Sequence, residues 1–241
     1  MKPRKAREAM DLMNGACGGQ IKCTDCHNPH RPEPPGGGPD SPAHIATCMN
    51  CHEEFKDTEV RARHTQHPTS SGVTCLDCHM PRIVQGLEEV IRTHQISSPT
   101  QVEMFREGAP NACNLCHLDR SIRWTVKALE TGWGRKLIPE PEWRRAYQGN
   151  LDGPVGRAWL KHRVPIVRLV AAHAYARSPL GKSALPELLQ TLNDSRAVNR
   201  MFGLFAVERV LGRRLSNEEY APLASPDVRL KQVNALGSSL R

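Results

Sequence analysis

Aromatic side chains are scarce in this 241-residue chain: four Trp, four Phe and three Tyr, 5% of the total. Hydrophobic residues of all kinds reach only 39%. Polypeptide side chains alone are then a thin supply for filling two cores. Long apolar runs are missing as well. No stretch of about 18 apolar residues occurs, which excludes a membrane-spanning helix. The first residues, MKPRKAREAMDLMNGACGG, are basic at the start but lack the apolar stretch of a secretory signal. Cysteine is absent from the second half, so thiolate metal sites and disulfides are excluded there; all nine cysteines lie between Cys17 and Cys116.

What is present is unevenly placed. Residues 1–120 hold 13 Lys and Arg against 15 Asp and Glu, a net of −2, whereas residues 121–241 hold 20 against 10, a net of +10. Nineteen prolines and eighteen glycines mark long irregular stretches, notably NPHRPEPPGGGPDSPA at 28–43. Two differently built regions follow, at 1–132 and 157–241, with WGRKLIPEPEWRRAYQGNLDGPVG as a linker over 133–156.

Eight of the nine cysteines form four C-x-x-C pairs, each followed at once by histidine: Cys23, Cys26 and His27; Cys48, Cys51 and His52; Cys75, Cys78 and His79; Cys113, Cys116 and His117. C-x-x-C-H is the attachment signature of c-type haem. Two thiols one short turn apart add across the two vinyl groups, and the next residue turns under the macrocycle to offer imidazole to the iron. Zinc is the competing use of such cysteines, but sites of four thiolates do not need a histidine after every pair. A thioredoxin-like redox motif occurs once, beside a βαβ pattern that is missing here. The spacing therefore predicts four covalently bound haem c groups. Cys17 is left over as a spare thiol.

Each iron has a second axial position, and whether the protein fills it separates electron transfer from substrate binding. The first half offers five further histidines: His30, His44, His64, His67 and His94. His44 lies four residues before Cys48. His64 and His67 lie on the approach to the third motif, and His67 is favoured over His64 as the ligand. His30 follows the first motif directly and is expected to reach a neighbouring haem. Four distal ligands, His30, His44, His67 and His94, give bis-histidine low-spin haems. His162 and His173 are read as ordinary helix residues.

Short helices are expected at Pro3 to Asn14 and near 46–57, 86–93 and 111–130, with the haems supplying the core. The basic half reads as helical. Leu185, Leu188, Leu189 and Leu192 fall on one helix face, and a second helix from Arg196 to Leu211 stops at Gly212. VPIVRLVAAHAYA, SRAVNRMFGLFAV and SPDVRLKQVNALG align around Arg168, Arg200 and Arg229, in the manner of a helix-pair solenoid. The fold class is thus mainly α, a loop-rich multihaem cytochrome c domain followed by a short HEAT-like α-solenoid.

The runs HTQHPTSSGVTCLDCHMPR, RTHQISSPT and GAPNACNLCHLDRSIRWT resemble a family of bacterial multihaem c-type cytochromes with HEAT-like C-terminal repeats. These are related in motif style to tetrahaem carriers and to pentahaem nitrite reductases. The resemblance implies His79 as a proximal and His94 as a distal ligand, a periplasmic or extracellular location with an export signal removed or upstream, and electron transfer. The C-x-x-C-K motif of the nitrite reductases does not occur. The expected function is electron carriage between redox proteins, acidic or membrane-bound and quinol-linked, rather than enzymatic catalysis. The alternatives are a haem-dependent reductase of a small nitrogen or sulfur oxyanion with one open site, or its electron-input subunit, and a subunit of a larger complex. Nucleic acid is not expected as a partner, because aromatics are few and the first half is acidic.

Overall fold

The computed structural model describes residues 4–5, 7–30, 42–100, 102–137 and 141–240. The chain is mainly helical and divides into two compact units. The smaller contains residues 7–82 and 92–99, the larger residues 1–6, 83–91 and 100–241. Three of the cysteine motifs fall in the smaller unit. The fourth falls in the larger one with the C-terminal helices. Residues 31–41 of the expected Pro/Gly-rich loop and 138–140 of the expected linker lie outside the described residues.

The smaller unit is a string of short helices: α1 (Glu8–Met13), α2 (Cys23–Cys26), α3 (Pro42–Met49), α4 (Thr58–Thr65) and α5 (Cys75–His79), with a 3₁₀ turn at Glu53–Lys56. Local chemistry starts and stops them. The Asp57 carboxylate accepts from the amides of Glu59 and Val60 at 2.8 and 3.1 Å, an N-cap for α4, and Gln66 ends that helix in the left-handed region. The expectation of one helix over 46–57 is met by α3 and the separate 3₁₀ turn, because the second cysteine motif interrupts the run. Among the described residues, Leu12 and Leu76 are the only buried hydrophobic side chains of this unit; Asp11, His44, Arg92, Thr93 and Ser97 are buried beside them. Two leucines cannot offset the conformational entropy of ordering such a segment. The polypeptide lacks a core of its own.

The larger unit has one. A small sheet of β1 (Arg4–Lys5), β2 (Arg82–Gln85) and β3 (Val90–Arg92) is arranged in that order, with Arg4 opposite Val84 in parallel pairing. The expected helix over 86–93 is therefore corrected to a turn and a strand. Ile83, Val84 and Val90 are buried, and β-branched residues suit this extended backbone. At Gly86 a Cβ would come within 2.8 Å of the Glu89 carbonyl, so the turn requires glycine. After these come α6 (Glu103–Arg106), α7 (Ala112–Cys116), α8 (Ile122–Trp133), α9 (Pro141–Ala146), α10 (Val155–Leu160), α11 (Pro165–Ala176), α12 (Leu185–Thr191), α13 (Ala197–Leu211) and α14 (Pro226–Ser239).

Residues 133–156, read as a linker, carry α9 and bury Trp143, Tyr147 and Leu151. The prolines that suggest a loop include Pro141, which opens α9, a position where its missing N–H costs nothing. Trp159 is fully buried and donates from Nε1 to the Gly108 carbonyl at 3.0 Å. Helix α11 packs chiefly on α13, which also packs on α12.

The three aligned arginines do the same thing in each repeat. Arg168 donates to the carbonyls of His162 and Arg163, Arg200 to those of Asp194 and Ser195, and Arg229 to that of Ala224. Each guanidinium reaches back five or six residues and satisfies the turn that starts its own helix. This gives the arginine of each aligned segment a common structural role.

Candidate haem sites

Three of the four motifs are closed by a polar residue inside or just before the C-x-x-C turn. In the first, the Lys22 amide donates to Asp25 Oδ2 at 2.8 Å, and the His27 amide to the Cys23 carbonyl at 2.8 Å. In the third, Thr74 donates from both its amide and its hydroxyl to Asp77 Oδ2 at 2.8 Å. In the fourth, the Asn114 amide donates to the Asn111 side chain at 2.9 Å. The second motif has no such cap. It rides instead on the last turn of α3, which places His44 one helical turn before Cys48. Thr47 Oγ1 donates to the Asp25 carbonyl at 3.0 Å and ties the second motif to the first.

No disulfide joins any of the nine cysteines. Cys48 and Cys75 hydrogen-bond each other, which pushes the Cys48 thiol up and brings that of Cys75 down to about 6. Burial raises Cys113 to about 11.

The imidazoles of the smaller unit come in groups. His79 and His64 face each other with ring centres 6.1 Å apart and planes 10° apart. His27 and His94 have centres 6.2 Å apart at 40°, and His44 lies 5.4 Å from His27 at 60°. His79 Nδ1 lies 2.9 Å from the Ser97 carbonyl, which fixes that nitrogen as the donor and leaves Nε2 as the lone pair. Burial lowers the pKa of both His64 and His94, with the neighbouring His79 adding to the effect at His64 and His27 at His94. Neutral imidazole is the form that binds metal.

The other sequence candidates are placed as follows. His30 is exposed, and its amide donates to Asn28 Oδ1 at 3.0 Å. His67 has Nδ1 2.6 Å from the Thr65 carbonyl. The ring stacked on His79 is that of His64, not His67. His52 is exposed beside Glu54 at 3.9 Å and Phe55. In the larger unit His117 lies 4.8 Å from Trp124, over which Arg120 sits at 5.8 Å. His173 is buried in α11 with Nε2 3.2 Å from the Phe202 carbonyl, as suits a structural helix residue. His162 sits in the turn before α11 rather than in a helix, and its Nδ1 accepts from the Val164 amide at 3.1 Å.

Some residues that shape the sites carried no signal in the sequence. Arg92, 4% exposed, donates to the carbonyls of Leu76 and Met80 at 2.8 and 3.2 Å and to Asp77 Oδ1 at 2.7 Å, bracing the third motif from across the chain. Asn114 is fully buried; it accepts from Thr125 Oγ1 at 2.5 Å and donates to the carbonyls of His117 and Arg120 at 3.1 and 3.4 Å. This network locks the fourth motif onto α8.

Haem fits these residues on three counts. A unit with two buried leucines gains its core if large flat apolar bodies are attached to its thiols. A metal–imidazole bond of about 2 Å on each face, plus roughly 1.2 Å to each ring centre, would set about 6.4 Å between two imidazoles holding one iron. The ring centres of His64 and His79 and of His27 and His94 stand near that separation, and those of His44 and His27 are closer together. The donor set of thiol pairs and neutral imidazoles is that of haem c.

Thiol pairs one residue ahead of an imidazole, wrapped in a helical chain, define a c-type cytochrome with covalently bound haem. Comparison with known families agrees. Residues 16–57 match the family model of the doubled CXXCH motif, and residues 63–131 match that of cytochrome c552. The first span contains motifs one and two. The second contains motifs three and four with His64, His67 and His94. These matches support a multihaem protein of haem-based electron transfer. No curated protein and no solved structure matches the chain.

Proposed function

We propose that the chain carries electrons between extracytoplasmic redox partners through four bis-histidine haems held by residues 1–132. The pairing of imidazoles at 6.1 and 6.2 Å supports this reading best, because rings at that distance saturate both axial positions of an iron. Bound haem supplies a one-electron iron couple. His79 and His64 hold one iron, and His27 and His94 a second. His30, His44 and His67 are the donors left for the irons of His52 and His117. His64 thus takes the role first given to His67, and His94 serves the haem of His27.

The C-terminal helices, a short HEAT-like array in this reading, present the basic charge. It favours an acidic partner, with exchange slowing as salt rises. No helix among the described residues is long and apolar enough to cross a membrane, so a membrane-bound quinol-linked donor would be a separate protein. A periplasmic or extracellular setting accords with covalent haem attachment.

The test is intact mass and electron paramagnetic resonance on natively produced protein. Four haems per chain, all low-spin, are expected. His64→Ala should convert one of them to high-spin while His67→Ala leaves the haem of His79 unchanged; the opposite result would return the ligand role to His67. The match to the cytochrome c552 family, which includes nitrite reductases, favours a second reading as a reductase with one open site. A Soret shift of the reduced wild-type protein on adding carbon monoxide or nitrite would select it.

A further inference from the structure

The 3₁₀ turn at Glu53–Lys56 follows the second motif directly, and the side chain of its Phe55 stands between the imidazoles of two motifs. The Phe55 ring centre lies 4.5 Å from that of His64, with planes 36° apart, and 6.2 Å from that of His52, with planes 31° apart. His64 in turn stacks on His79 at 6.1 Å and 10°. His52, Phe55, His64 and His79 therefore form one row of rings that runs from the second motif to the third, each step within the range of attractive aromatic contact. Backbone bonds hold Phe55 in that row. Its amide donates to the His52 carbonyl at 3.1 Å, and its carbonyl accepts from Arg61 Nη1 of α4 at 3.3 Å. The same Arg61 nitrogen lies 3.6 Å from Met49 Sδ at the end of α3. The turn is thus tied both to the helix that carries His64 and to the one that carries the second motif.

We propose that Phe55 is the positioning residue for His64: its ring packs against the imidazole and holds it parallel to that of His79. The inference rests on the reading above in that His64 and His79 are taken as the two ligands of one iron. An imidazole bound to a metal through one nitrogen can turn about that bond, so contacts outside the coordination shell decide its plane. For His79 the contact is the Ser97 carbonyl, 2.9 Å from Nδ1. For His64 it is the face of Phe55. A ligand ring kept in one plane in both oxidation states leaves little to reorganise when an electron arrives, which suits a carrier. Because Phe55 belongs to the turn of the second motif, the geometry of the third site depends on the second being in place.

The test is electron paramagnetic resonance of the oxidised, haem-loaded protein. The angle between two axial imidazole planes shapes a low-spin signal: near-parallel planes give a rhombic signal with three resolved g-values, and steeply crossed planes give one signal at large g. His64→Ala identifies the third haem as the low-spin signal that is lost to high-spin. In the wild-type protein that signal should be rhombic, and a large-g shape there would overturn the proposal. Phe55→Leu should shift it to large g while the haem stays low-spin, and Phe55→Tyr should keep it rhombic. A merely space-filling role predicts otherwise, because leucine also fills the site; a rhombic signal retained in Phe55→Leu, or lost in Phe55→Tyr, sinks the inference. Phe55→Met, another apolar side chain without a ring, takes the place of Phe55→Leu should that variant fail to accumulate. If His64→Ala removes no low-spin signal, the ligand assignment falls and the inference with it. If it removes one that Phe55→Leu leaves unmoved, the role of Phe55 alone falls.

Discussion

Replacing Arg168 with alanine should lower the stability of the larger unit by about 3 kcal/mol, the low end of the cost of breaking a buried ion pair. Arg168 donates through Nε and Nη2 to Asp194 Oδ2 at 2.8 and 2.5 Å, with the two side chains 21% and 4% exposed. Burial pushes the Asp194 carboxylate up, but the Arg196 amide, Arg168 and Asn199 together hold it below the usual range. Without Arg168 the carboxylate keeps the Asn199 bond at 3.1 Å and the Arg196 amide at 3.0 Å, which argues for the low end. The carbonyls of His162 and Arg163 also lose their donor. For a unit of about 150 residues, 3 kcal/mol corresponds to a fall in Tm of roughly 6–12 °C. Thermal melting of the haem-loaded protein followed by circular dichroism at 222 nm reads it, with the Soret band as a control for the smaller unit. Adding Asp194→Asn should recover part of the loss, since an unpaired buried charge is then removed. A Tm within 2 °C of wild type would refute the reasoning.

Acidification provides an independent check on the same helices. Burial, with the positive Arg177 adding to it, holds His173 down to about 4, against an ordinary value near 6.5 when unfolded. Its neutral form therefore contributes stability that is complete above pH 6.5 and lost as pH falls toward 4, by about 3 kcal/mol. His173→Gln should flatten the fall in Tm across that window, and an unchanged pH profile would refute the assignment. Asn114→Leu removes the acceptor of the buried Asn111 side-chain amide and leaves the Thr125 hydroxyl only the Ser121 carbonyl, at a cost of about 1–3 kcal/mol. Intact mass should then show three haems on a large fraction of chains, with peptide mapping placing the loss at Cys113 and Cys116. Arg92→Gln should similarly broaden or shift the spectrum of the haem held by His79, because the carbonyls of Leu76 and Met80 lose their charged donor.

The cofactor chemistry was legible in the chain because covalent attachment is a matter of local spacing: two thiols and an imidazole within five residues need no distant partner to be recognised. Helices α12 and α13 were legible for a related reason. Their apolar period and the Gly212 stop are written into consecutive residues, and the helix over 185–191 begins where the leucine pattern does. The aligned arginines Arg168, Arg200 and Arg229, each one or two residues after a valine, were also visible, though their purpose was not. The segment 86–93 was misread because a run of charged and apolar residues fits a helix turn as well as a hairpin, and the pairing of β2 with its neighbours decides between them.

Local pattern by itself determined that haem is carried, how the thiols and proximal imidazoles are spaced, and which half is built from packed helices. Which imidazoles lie beside which was decided only by tertiary structure. His64 and His67 differ by three residues in sequence, yet one stacks on His79 and the other bonds back to its own turn at Thr65. Such pairs depend on where loops return in space, and in a unit with so few buried apolar side chains the return is set by hydrogen bonds, which have no period to read.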